Sequence, residues 1–169
     1  MSYDSESKFE ADLIRTLVEE KGWRDGVLKY KNEKELLQNW ANIIYENNRA
    51  VDRLGDYPMT AEEMQQIMEQ IKALRTPLKL NGFINCRYVQ IVRDNEKDQH
   101  NFGKMISLKI FDRNEIAAGR TRYQIAEQPI YSARNDIYPN RRGDFCLLIN
   151  GMPLIHVELK KSGVPVSEA

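Results

Sequence analysis

Two apolar runs, Asp144-Phe-Cys-Leu-Leu-Ile149 and Met152-Pro-Leu-Ile-His-Val-Glu-Leu159, are joined by Asn150-Gly151. This junction constrains the chain more than any other feature. Asn-Gly readily supplies the two left-handed residues of a tight turn, so the segment is predicted to be a β-hairpin. Both arms are nearly continuous hydrophobics, the pattern of strands covered on two faces by helices. The hairpin is therefore expected at the centre of a sheet, with His156 as a hydrogen-bonded core histidine.

Upstream, the pattern is helical. Phe9, Leu13, Ile14, Leu17 and Val18 form a stripe that starts at a Ser5 or Ser7 cap and stops at Gly22. Leu36, Leu37, Trp40, Ile43, Ile44 and Val51 predict a second helix over 33–53, ended by Gly55 and Pro58. Thr60 and Glu63 make a capping box ahead of Met64, Ile67, Met68, Ile71 and Leu74. After Pro77 the residues change to strand-formers, at 88–92, 105–111 and 122–126. The stretch DNEKDQHNFG between the first two reads as a solvated turn. The fold class expected is α/β (α+β), a central mixed β-sheet flanked by helices, with a helical N-terminal half and a strand-rich C-terminal half. The three helices are expected to cover the sheet.

At 169 residues the chain fits a single domain, 1–169. Its formal net charge is zero, but residues 1–70 carry 9 Lys/Arg against 15 Asp/Glu, whereas residues 71–169 carry 16 against 10. A phosphate-binding face therefore belongs in the second half, unless the swing is only partitioning of solvated surface. Cys86 and Cys146, 60 positions apart and without a Cys/His cluster, encode neither a disulfide scaffold nor a zinc site. The polar start and the lack of a long apolar run fit a soluble, cytoplasmic protein with no membrane partner.

Asp144, Glu158, Lys160 and Lys161 stand at the ends of the greasy hairpin, where charge needs a reason. On a strand, Glu158 and Lys160 project from one face while Leu159 points back. A plain two-residue turn pairs Asp144 with Val157 and puts Asp144 and Glu158 on opposite faces. A one-residue shift near Gly143 or Pro153 pairs Asp144 with Glu158 instead, and such a shift is expected. Two carboxylates on one face suit Mg²⁺, with the Leu159 carbonyl as a further ligand and Lys160 beside the attacking water. This is the chemistry of phosphodiester hydrolysis. The alternative is ordinary ion pairing of the acids with Lys160 or Arg142 at a sheet end.

The stretch Arg141 to Ala169, RRGDFCLLINGMPLIHVELKKSGVPVSEA, resembles the endonuclease region of type I restriction enzyme R subunits, which carry the PD-(D/E)xK nuclease fold. The D-(x)13-E-x-K spacing, the NG-x-PL turn and ELKKSGVPVSEA carry the likeness, and SESKFEADLIRTLVEEKGW resembles the family's opening helix. The resemblance implies a type I site-specific deoxyribonuclease with Asp144, Glu158 and Lys160 catalytic and Asp144, Glu158 and the Leu159 carbonyl on the metal. Glu10 matches an acidic residue of the family's first helix that approaches the metal, a solvated first-turn glutamate being the alternative. Gly143 stands where the generic motif has proline. Arg141, Arg142 and Lys161 are candidates for DNA phosphates. The implied partners are double-stranded DNA, methylation and specificity subunits, and the ATP-driven translocase domains of the same subunit. Neither a Gln-x-x-x-Tyr segment nor a nucleotide-binding P-loop is present, so a fragment of a larger motor protein is expected. Other readings are a recombination or repair nuclease of the same fold, or a non-catalytic DNA-binding or docking module.

Overall fold

A computed structural model of the chain describes residues 6–49, 53–76, 79, 82, 88–111, 121–133 and 140–160. The elements in chain order are α1 (Glu6–Glu20), β1 (Val27–Lys29), α2 (Glu33–Asn47), α3 (Ala61–Lys72), β2 (Tyr88–Val92), β3 (Met105–Lys109), β4 (Tyr123–Glu127), β5 (Ile130–Tyr131), β6 (Arg141–Arg142), β7 (Phe145–Ile149) and β8 (Met152–Val157). The helical first part and strand-rich second part are as expected. Two compact units divide the chain, one made of Met1–Leu36 with Arg122–Ala169, the other of Leu37–Thr121. Ser5, one of the two expected caps of α1, lies outside the described residues.

The first unit is built on a mixed sheet in the order β1-β4-β7-β8, with β1 parallel to β4 and the other neighbours antiparallel. The α1 stripe explains its docking: Leu13, Ile14, Leu17 and Val18 pack with Ile125, Phe145 and Leu147. On the other core cluster Leu36, in the first turn of α2, packs with Ala126, Cys146 and Leu148. Alternation along β7 thus feeds one layer with Phe145 and Leu147 and the other with Cys146 and Leu148. Phe145 is almost fully buried, and truncating it to Ala would cost about 3–5 kcal/mol.

Only one arm of the hairpin meets the expectation of a central, doubly covered position. β7 is interior, but β8 is the edge of this sheet among the described residues, and Ile155 is 50% exposed. Apolar composition did not separate the two cases, because an edge strand can carry hydrophobics on its open side. β1 went unread because three residues are too short to show a period.

In the second unit, the Thr60–Glu63 capping box is present, with Glu63 N donating to Thr60 Oγ1 and Thr60 N to Glu63 Oε2. α2 ends at Asn47 instead of reaching Arg53, because Asn48 is buried and diverts its amide. Asn48 Nδ2 donates to the carbonyls of Ile44 and Lys109, and Lys109 N donates back to Asn48 Oδ1 at 2.7 Å. The side chain thereby acts as an extra piece of backbone for β3. α3 lies along β2, where the amides of Gln66 and Gln70 bond the backbone of Val92 and Gln90. That occupies polar groups which an open strand edge would present to other chains. DNEKDQHNFG is not wholly solvated: Asp98 is buried and its Oδ2 lies 3.0 Å from Arg93 Nε. No helix among the described residues is long and apolar enough to cross a membrane.

Candidate active site

The backbone of the hairpin sets the site. Asn150 and Gly151 take φ of 50° and 83°, as a tight turn between right-twisted strands requires. Ile149 pairs with Met152 and Leu148 with Pro153; Leu154 is then left over, and Leu147 pairs with Ile155, Cys146 with His156 and Phe145 with Val157. The bulge falls beside Pro153, one of the two places expected. The ladder ends at Phe145–Val157; continued by one step, this register would set Asp144 opposite Glu158.

The side chains of these two acids are engaged in different settings. One Asp144 oxygen accepts the backbone N–H of Leu159. Glu158 Oε1 lies 2.9 Å from His156 Nε2, both side chains being well exposed. His156 is therefore not a core histidine; it sits on an edge strand with its ring set edge-on to Tyr131, at 5.8 Å and 73°. The Tyr131 hydroxyl lies 3.2 Å from Cys146 Sγ, and burial raises the pKa of both groups. Gly143 leaves the room that this cluster occupies, since a Cβ there would lie 2.8 Å from His156 Nε2 and 3.3 Å from Glu158 Oε1. Lys160 is exposed three residues past the end of β8, and Arg141 and Arg142 are exposed on β6. Lys161 lies outside the described residues.

Glu10 of α1 is 93% buried on the core side of its helix, being 7% exposed, so it is not a solvated first-turn glutamate. Its Oε2 accepts Gln128 Nε2 at 3.2 Å, while its Oε1 is buried without a hydrogen-bond partner. Burial raises the Glu10 pKa, the Gln128 bond opposes this, and the nearby Asp144 carboxylate raises it further. Gln128 was missed by sequence reasoning. It holds φ of 50° ahead of Pro129, and its N–H donates to the Asp144 carbonyl at 2.7 Å. Its one visible signal was a polar residue between the end of a strand and a proline.

Among the described residues, no three His, Cys, Asp or Glu side chains stand together as a metal cage. The acids fall into two groups, Glu10 with Asp144 and Glu158 with His156. The first group nonetheless fits a hard cation. It offers carboxylate oxygens without thiolate or imidazole, and one of those oxygens is buried with nothing to satisfy it. An unsatisfied buried anion beside a second carboxylate is unfavourable until positive charge joins it.

The family described as Type I restriction enzyme R protein N terminus matches residues 3–169. The chain is also similar to the type I restriction enzyme SsaAORF53P endonuclease subunit of Staphylococcus saprophyticus, with 28% identity over 169 residues, all of this chain and 16% of that protein. The type I restriction enzyme SauCOLORF180P endonuclease subunit of Staphylococcus aureus shows 28% identity over 171 residues, again covering all of this chain and 16% of the relative. The chain thus spans about a sixth of the length of these relatives. With a match over nearly its whole length, this chain belongs to the type I restriction enzyme R protein N-terminal family.

Proposed function

We propose that this chain is the Mg²⁺-dependent DNA-cleaving domain of a type I restriction endonuclease subunit, hydrolysing phosphodiester bonds in unmodified foreign DNA. The observation that carries this reading is the Glu10 carboxylate, buried near Asp144 with one oxygen unpartnered, beside the start of the strand that follows Asp144. Asp144 and Glu158 would hold the ion, together with the Leu159 carbonyl and Glu10. When bound, Mg²⁺ supplies charge neutralisation at the phosphate and makes water more acidic. Lys160 orients the attacking water and stabilises charge on the phosphate oxygens. Arg141, Arg142 and Lys161 neutralise flanking DNA phosphates, binding without base readout. Sequence recognition, methylation and ATP-driven translocation belong to other domains and subunits of the complex, whose setting is the cytoplasm.

A non-catalytic DNA-binding module of the same fold is favoured by one observation, the engagement of Glu158 by His156. Restriction by the assembled enzyme decides between them. Asp144→Ala and Lys160→Ala in the full-length subunit are expected to abolish cleavage of unmodified DNA while leaving assembly and ATP-driven translocation intact. Undiminished restriction in either variant rejects the catalytic reading.

A further inference from the structure

We propose that Gln128 is the positioning residue of this site, fixing the Glu10 carboxylate beside Asp144 so that these two acids form the oxygen pair on which a divalent cation first settles. The inference rests on the function proposed above and assigns a role within it.

Glu10 and Asp144 come from distant parts of the chain, and Gln128 touches both. Its backbone N–H donates to the Asp144 carbonyl at 2.7 Å and its side-chain Nε2 to Glu10 Oε2 at 3.2 Å. The next residue adds a second clamp, since the carbonyl of the buried Pro129 accepts Gly143 N at 3.1 Å. The bend around Gln128 is therefore stapled at two points to the segment that delivers Asp144. This fixes where the amide reaches.

The backbone at Gln128 is a poor place for glutamine. Its φ of 50° lies in the left-handed region that favours glycine, and it precedes a proline, which pushes residues toward extended conformations. Such strain persists only where the surroundings hold it. What glutamine has and glycine lacks is an amide long enough to reach Glu10. That amide occupies one Glu10 oxygen and leaves the other buried and unpartnered, while the Leu159 N–H holds one oxygen of Asp144. Donors that orient a ligand carboxylate from behind commonly set cation affinity by about 10–100-fold.

The test is calorimetric titration of Mn²⁺ into the 169-residue chain, paired with melting of the metal-free protein. The parent is expected to bind Mn²⁺, and Glu10→Gln and Asp144→Asn to lose binding. Gln128→Met and Gln128→Gly are expected to bind at least about tenfold more weakly. Gln128→Gly should at the same time melt close to the parent temperature, because relief of the left-handed strain offsets the loss of the amide bond to Glu10. Parent-like Mn²⁺ binding by both Gln128 variants, with binding still lost in Asp144→Asn, overturns the role of Gln128 and leaves the proposed function standing. A marked drop in the melting temperature of metal-free Gln128→Gly, alongside weak binding, shows a structural role and also overturns it. Absence of Mn²⁺ binding by the parent, or parent-like binding by Asp144→Asn, removes the cation site and the inference together.

Discussion

Gly143 is packed directly beneath His156: a Cβ on this residue would stand 2.8 Å from His156 Nε2 and 3.1 Å from a Tyr131 ring carbon. Gly143→Ala must therefore displace the His156 ring. The nearest atom is the tip of a half-exposed side chain, so the stability loss should be small for an overpacked site, roughly 1 kcal/mol by urea denaturation. Gly143→Pro, which restores the residue of the generic nuclease motif, also removes the N–H that donates to the Pro129 carbonyl. Losing that bond to a buried residue adds about 1–3 kcal/mol. Equal stability of the proline variant and the parent would show that the segment before Asp144 is not built as described.

Arg93 and Glu63 form a second dependency, in the unit of Leu37–Thr121. Both side chains are fully buried, and Arg93 Nη1 lies 2.8 Å from each Glu63 oxygen. Glu63 is also the N3 residue of the α3 capping box, so one carboxylate serves the helix start and the loop after β2. Removing Arg93 leaves the Glu63 charge buried and uncompensated, whereas Arg93 without Glu63 still has Asp98. Arg93→Met is expected to cost about 3–5 kcal/mol. The double variant Arg93→Met/Glu63→Met should lose less than the sum of the two single variants, measured as unfolding midpoints in urea.

Asp98 gives this unit an acid limb. Burial raises its pKa, but the bonds from Arg93 and Asn101 outweigh burial and leave the carboxyl below its ordinary value of 3.8. A depressed folded value means that the unfolded state takes up the proton first. The contribution of Asp98 to stability is thus complete above 3.8 and is lost as pH falls through the lower, folded value. Asp98→Asn should be less stable than the parent at neutral pH, and the gap should narrow in strong acid. A gap constant with pH would mean that the carboxylate charge is not what Arg93 uses.

The sequence made some of this legible for identifiable reasons. Asn150-Gly151 has few conformational options, and the turn it forms fixes one end of the register. The bulge followed from requiring that Asp144 and Glu158 meet across the strands, with Pro153 marking where a regular ladder yields. Burial on β8 was misread because Leu154, Ile155 and Val157 look alike in a sequence whether or not another strand follows in the sheet. The Arg93–Asp98 pair hid in a segment whose other residues are solvated. Gln128 was hidden more deeply, since its importance lies in one left-handed backbone angle and in two contacts far away along the chain. Such a residue has no periodicity to reveal it.

Glu10 offers the sharpest opposition between stability and activity. Its carboxylate is buried, is pushed toward the neutral form first by desolvation and then by Asp144, and has an oxygen with no partner. Glu10→Gln keeps the shape and an oxygen able to accept from Gln128, while deleting the buried charge. The metal-free variant is expected to be more stable than the parent at neutral pH by about 0.5–2 kcal/mol, the usual size of a single stabilising change. Saturating Mn²⁺ should reverse the order, because only the protein that binds the ion gains the stabilisation that grows with the logarithm of ligand concentration over Kd. Melting curves of both proteins with and without Mn²⁺ read out both signs. A Glu10→Gln protein less stable than the parent in the absence of metal would mean that Glu10 is held for the fold and not for a cation.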